Sequence, residues 1–567
     1  MSEMPASLLR DNPYLDSVLY EAALLFPSAS DSHPAKARQL ARVHDRHEIQ
    51  SLYVMPYHAA EAIIPRLCSV CPSAWTRVSK DDVLMRNLLT SYFKNEYTCH
   101  ATFHIDYFLE DMATGRSDAC SSLLVNAVLA HACSTYLPFE DRSEYWNPDT
   151  LSYKFLVEAK RLWELEASPA VVLLDEHGNA RPPRLTTIQA GIVLNMTINL
   201  TCMDKIGQTY YDRVIQLASE IDLFNYDGTY SHALVTEREA TNLAFTAWAV
   251  FNWGVLVSYH FFLVPKLTQP PRWDLPDLAE HPRWYGDVAL KYPDTASLSP
   301  THLGHVLKAR CQFRVIMADL SLAYYSPDSP MSPENVQRDP GQALAIANSF
   351  YARLEAWKQG LPSFLAAKEI ALPSHIQLHC YFQTLKVSIY GPLQDVATLQ
   401  TPSPASLVAE ARRHLTTLAR LYYLRHGYES ADSWVGSPLI SLANMYIDML
   451  QAGTLTEPEL VLEARSSLIL MIKGLRDQSR NNAVCEVLFR MTKAKIRPED
   501  HALLVSEGVV RVDEDEGKVM QMHAVQMQWP AMATTMADKP HSHSLTDLVR
   551  GMGQVTIADQ QLGPTVR

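Results

Sequence analysis

Between Leu84 and Met491 one pattern keeps returning: apolar residues recur every three or four positions, segment after segment. Leu84, Leu88, Leu89, Tyr92 and Phe93 follow it, as do Phe155, Leu156, Ala159, Leu162 and Trp163, and then Tyr211, Val214, Ile215, Ala218 and Ile221. That spacing lines side chains along one face of a helix, whereas a half-buried strand alternates every second residue. With only 20 glycines in 567 residues, little in the chain interrupts helices. The expected fold is all-α, a large multi-helix array with no substantial sheet.

The pattern turns helical from about 52 to 112, with Ser79 ahead of Asp81 and Asp82 as a helix start. Further helices are expected over 117–136, 152–165, 186–203, 208–223, from 237 behind a Thr236 cap, 302–325, 342–359, 375–390, 406–424, 437–451, 457–475 and 481–491. Prolines mark 268–300 as an irregular, ordered connector and 326–340 as a loop. The chain accordingly divides into a polar lead-in (1–50), a first helical half (51–300), a second helical half (301–496) and a mostly disordered tail (497–567). The tail carries the acidic run Asp513–Glu516 and the apolar-acidic patch Leu545–Leu548. No repeat of fixed period is present, which argues against a regular solenoid.

Net charge is −13, which lowers the expectation of a basic, DNA-gripping face. The nine cysteines are scattered and odd in number, as in a reducing compartment with buried thiols. The first 20 residues lack the uninterrupted apolar core of a secretory signal. Residues 244–264 carry no formal charge, but Thr246, Asn252, Ser258 and His260 make a buried core helix the better reading than a membrane span.

The motifs that carry chemistry are weak. Cys68-Ser-Val-Cys71 is the one Cys-x-x-Cys; with His58 it remains a ligand short of a zinc site, and buried thiols beside Pro72 and Trp75 are expected. His44, His47 and Glu48 lack the spacing that aims two imidazoles at one metal. His541 and His543 lie in the tail, and Gly551 and Gly553 lack the third glycine of a dinucleotide loop. Asp81 and Asp82 are read as a helix N-terminus and not a metal pair. Trp248, Phe251, Trp253 and Tyr259–Phe262 form an aromatic stripe read mainly as core, with a ligand pocket as the alternative. No Walker loop, Gly-x-Ser-x-Gly elbow or kinase set is present. No catalytic, cofactor-binding or metal-binding residue is assigned.

Several segments, in order and spacing, resemble the middle homology region of fungal zinc-cluster transcription factors. They are Leu89–Phe93 through Thr98–Phe108, Ser121–Ala130, Phe155–Leu162, Leu185–Gly191 followed by Tyr210–Leu223, Glu237–Phe251, and His375–Tyr381 through Tyr390-Gly-Pro392. Ile221-Asp-Leu223 replaces the family's usual Leu-Gly-Leu, and Gly391 stands where Arg is common. The first 60 residues contain no cysteine, so the six-cysteine zinc cluster is expected to be absent from this chain. The resemblance implies a nuclear regulator of transcription, serving a biosynthetic gene cluster. It implies action through other transcription factors or co-regulators, as a homo- or heterodimer, without specific DNA binding of its own, a membrane or a cofactor. It implies no enzyme. The rival reading is a helical enzyme or small-molecule sensor with no DNA-linked role.

Overall fold

The computed structural model describes residues 4–9, 11–20, 57–140, 142–168, 181–230, 235–293, 296–453 and 455–510. The helices within them are α1 (Asp82–Tyr92), α2 (Ile105–Thr114), α3 (Ser122–Thr135), α4 (Leu151–Glu166), α5 (Leu185–Leu200), α6 (Asp204–Glu220), α7 (Glu237–His260) and α8 (Leu303–Tyr325). The series continues with α9 (Pro333–Arg338), α10 (Pro340–Gln359), α11 (Pro373–Tyr390), α12 (Pro404–His426), α13 (Gly436–Gln451), α14 (Pro458–Gln478), α15 (Ala483–Lys495) and α16 (Pro498–Ser506). The fold is all-α, as the periodicity requires. Three very short antiparallel strands are the exception: β1 (Glu61–Ile63), β2 (Ala289–Lys291) and β3 (Ser299–Pro300), with Ala62 opposite Leu290 and Ala289 opposite Pro300. They tie the proline-rich connector to the segment before α1.

That segment departs from expectation. Residues 57–74 are 3₁₀ turns and a strand, not helix, because Pro65 and Pro72 start new turns and cannot donate to a preceding helical carbonyl. The cap of α1 is Asp81, whose carboxylate accepts from the Leu84 amide at 2.9 Å; Ser79 instead accepts from the Asp81 amide. Thr236 caps α7 through the Glu239 amide, as its position implies.

The helices pack as neighbours in sequence: α3 on α4, α5 on α6, α7 on α8, α11 on α12 and α13 on α14. The buried apolar side chains form one continuous cluster from Tyr14 to Val510. Burial of each large apolar side chain contributes roughly 1.5–3 kcal/mol, so this cluster dominates stability. α5 is buried on every side from Thr186 to Ile198. Some of its buried polar atoms are paired and some are not: Gln189 Nε2 donates to Thr246 Oγ1 at 2.8 Å, whereas Thr186 Oγ1 and Gln189 Oε1 have no hydrogen-bond partner. Gly191 lets α5 approach its neighbours, since a Cβ there would lie 2.7 Å from the Trp163 ring. α7, the apolar helix that a membrane span would resemble, is 89% buried over its most apolar window.

Both ends of the described chain are docked. Tyr14, 1% exposed, presents its hydroxyl 3.3 Å from His379 Nδ1 and accepts from Gln383 Nε2 at 3.0 Å. Asn12 Nδ2 donates to Thr417 Oγ1 at 2.7 Å. The polar lead-in thus reaches the core on α11 and α12. At the other end α16 lies within the stretch assigned to the tail, yet Leu504 is 1% exposed and Asp500 Oδ1 pairs with Arg465 Nε at 2.6 Å. The acidic run, the 545–548 patch, His44–Glu48, His541, His543, Gly551 and Gly553 lie outside the described residues.

Candidate functional site

After Tyr92, α1 does not stop but widens into one π turn, Phe93–Tyr97. An inserted π turn rotates the residues that follow and is a recurrent feature of functional sites. Here it carries Glu96 into the interior, 2% exposed, and brings His100 behind it. These two meet side chains of α3, α5, α7 and α15 and the turn before α13 around a cavity of about 110 Å³. Met196, Leu256, Val257, Phe261, Trp434 and Leu488 give it apolar walls.

The polar groups are few and placed. Ser433 donates to Glu96 Oε1 at 2.9 Å, and His131 Nε2 lies 3.5 Å from Glu96 Oε2. His131 Nδ1 in turn sits 3.0 Å from Thr197 Oγ1. Burial alone would raise the Glu96 carboxyl, but His131, His100 and Ser433 outweigh it and hold the carboxyl below its usual range. Burial drives the His100 imidazole down to about 3 against the pull of Glu96, and burial with Arg314 drives His260 to about 3. Trp253 Nε1 donates to Asn195 Oδ1 at 2.6 Å, which fixes the indole edge-on to His100 at a ring separation of 5.5 Å.

At neutral pH the cavity therefore holds the Glu96 carboxylate and the neutral imidazoles of His100 and His260, in a largely apolar shell. Such a lining offers apolar contact around one fixed carboxylate. The Ser433 hydroxyl is committed to a carboxylate too acidic to serve as a strong base. The Cys485 thiol, which a Cβ on Gly436 would meet at 2.8 Å, is pushed up to about 12 by burial and is not a nucleophile.

The aromatic stripe of α7 divides as its two readings allow. Trp253, His260 and Phe261 line the cavity; Trp248, Phe251 and Tyr259 are core. Cys68 and Cys71 are corrected: both are exposed, on turns that Pro65 and Pro72 keep at the surface. His58 is not beside them but faces the His426 carbonyl at 3.4 Å. Asp82 accepts from the amide and hydroxyl of Ser73, so the acidic pair secures a helix start. Among the described residues no group of three or more His, Cys, Asp or Glu is placed to hold a metal ion. Glu96, Ser433 and Asn482 went unnoticed in the sequence because they come together only through tertiary packing.

Three curated relatives share this sequence pattern. Nitrogen assimilation transcription factor nirA of Emericella nidulans is 27% identical over 367 residues, 63% of this chain and 39% of that protein. Nitrogen assimilation transcription factor nit-4 of Neurospora crassa is 24% identical over 376 residues, 62% of this chain and 32% of that protein. The notoamide biosynthesis transcriptional activator notL' of Aspergillus versicolor is 26% identical over 408 residues, 69% of this chain and 58% of that protein. The chain is similar to fungal transcription factors. It spans between about a third and three fifths of the length of these relatives. No family model matches the chain. No solved structure matches it.

Proposed function

We propose that the chain is a fungal transcription regulator whose helical body is the regulatory domain, the counterpart of the middle homology region of zinc-cluster factors. The observation that carries this is the agreement of three relatives, each a transcription factor or activator, over 62–69% of the chain. The apolar cavity with its acidic Glu96 and unreactive Cys485 supports a binding body over an enzyme. The likeness to an activator of notoamide biosynthesis supports the finer reading, control of a biosynthetic gene cluster from the nucleus.

Residues 1–567 carry no six-cysteine cluster and a net charge of −13. By themselves they are expected not to read a DNA sequence, since base readout needs side chains placed in a groove by several phosphate contacts. In this proposal the helical body works with other transcription factors or co-regulators, as a homo- or heterodimer.

Deletion of the gene followed by transcript profiling tests the reading. Coordinated loss or gain of transcripts from one biosynthetic cluster is expected. An unchanged transcriptome, together with accumulation of a single precursor, would favour an enzyme. A second reading, a small-molecule sensor with no DNA-linked role, is favoured by the 110 Å³ cavity.

A further inference from the structure

Arg310 and Arg314 lie one turn apart on α8 and are 3% and 1% exposed. Arg310 Nη2 donates to the Thr98 carbonyl at 3.2 Å and to Gln377 Oε1 at 2.9 Å. Arg314 Nη1 contacts Met317 Sδ at 3.0 Å, and its guanidinium lies 4.3 Å from the centre of the Tyr381 ring. None of these partners is a carboxylate. Arg310 Nε and Arg314 Nε and Nη2 are buried without a hydrogen-bond partner, and among the described residues neither guanidinium has an ion pair. Two like charges at this depth are costly unless something negative joins them. Burial, with Arg314 adding to it, already pulls the Arg310 guanidinium below its ordinary value.

The two arginines border a small pocket of about 20 Å³, together with Thr102 and Asn252. Thr102 Oγ1 and Asn252 Oδ1 are likewise without a partner. His100 and Trp253 are the wall this pocket shares with the larger cavity. A pocket of that size exceeds the roughly 10–15 Å³ one water requires, so it admits a group of about that size, such as a carboxylate oxygen.

We propose that Arg310 and Arg314 form the anion subsite of a ligand-binding cavity for a small organic monocarboxylic acid. The carboxylate lies between the two guanidiniums, whose planar donor sets match its oxygens. The apolar body points along the His100–Trp253 wall towards Leu256, Val257 and Phe261, and the two rings, in edge-to-face contact at 5.5 Å, part to let it into the larger cavity. Glu96 sets the charge limit: an ionised carboxylate lining the larger cavity repels a second acid group, so diacids are excluded. The site stands on this geometry and is independent of what the chain does in transcription.

The test is titration of the purified full chain with benzoate and with hexanoate, followed by calorimetry and thermal melting. Benzamide serves as the neutral isostere and inorganic sulfate as a bare oxyanion. A saturable rise in melting temperature with benzoate or hexanoate, absent with benzamide, is expected. Arg314→Met keeps the volume and removes one buried charge. It is expected to melt no lower than the native chain without ligand, and to weaken carboxylate binding about tenfold or more, as for loss of a charge-assisted pair. Saturation by sulfate alone, with none by either acid, would replace the organic acid with an inorganic oxyanion and overturn the proposal. So would shifts equal for benzoate and benzamide, or no saturable binding to the native chain, a result that does not depend on any variant folding.

Discussion

Glu96 Oε2 and His131 Nε2 face each other across 3.5 Å in the interior, Glu96 carried there by the π turn at Phe93–Tyr97 and His131 by α3. The pair sits on the wall of the main cavity, so its protonation sets the charge any ligand meets. Glu96→Gln keeps the shape and removes the charge. It is expected to leave the helical content intact and to admit diacids that the native cavity repels. Calorimetric titration with a short dicarboxylate checks this; equal exclusion by both proteins contradicts it.

Buried histidines make stability depend on pH in a predictable direction. His100, His260, His375 and His426 are pushed from an ordinary 6.5 to about 3, mainly by burial. Below 6.5 the unfolded chain binds protons that the folded chain refuses, so stability falls as pH drops from 6.5 towards 3. Each such histidine steepens the fall by about 1.4 kcal/mol per pH unit. Glu96, held low in the folded state, adds its own loss only at still more acid pH, below the ordinary glutamate value of 4.5. Denaturant melts between pH 7 and 4 should show the slope, and His426→Gln should make it shallower. A flat profile over that range would contradict the buried, neutral imidazoles.

The N-terminal clamp should matter. Tyr14 fills a site between His379 and Gln383, and His379 Nε2 is 2.8 Å from the Leu365 carbonyl. With Nε2–H donating to that carbonyl, Nδ1 is free to accept from the Tyr14 hydroxyl. Tyr14→Ala is expected to cost about 3–5 kcal/mol, the range for deleting a buried aromatic ring. Equilibrium unfolding measures it; a loss under 1 kcal/mol would mean the segment is not part of the core.

The lower end of the fold can be located by truncation. Ending the chain after Val510 is expected to leave the melting temperature unchanged. Ending it at 497 removes Leu504, Val509 and Val510, all buried, and the partner of Arg465. That shorter chain should melt several degrees lower. Equal melting of the two would place the boundary at 497.

How much of this was legible in the sequence follows from the range of each signal. Helix existence was legible, because the three-and-four spacing of residues such as Phe155, Ala159 and Trp163 is a local property of each segment. The Thr236 cap was legible for the same reason. The 57–74 turns were not, since an apolar run such as Ala62–Ile64 looks alike in strand and helix until Leu290 is found opposite it. The docking of the two ends was hidden because their partners lie far off in sequence: Tyr14 meets His379 and Gln383, and Asp500 beside Leu504 meets Arg465. The cavity was half visible: Trp253 and Phe261 stood out in an aromatic run, whereas Glu96, Ser433 and the Arg310–Arg314 pair come from three distant segments that no common spacing links.

The central claim is that this helical body regulates transcription. The most direct measurement tethers residues 1–567 to a heterologous DNA-binding module upstream of a reporter in a filamentous fungus. A change in reporter output, up or down, that requires the tether and is lost when the helical core is unfolded by Gly191→Trp is the predicted result. Reporter output indistinguishable from the DNA-binding module alone, with the fusion folded and present in the nucleus, would contradict the account.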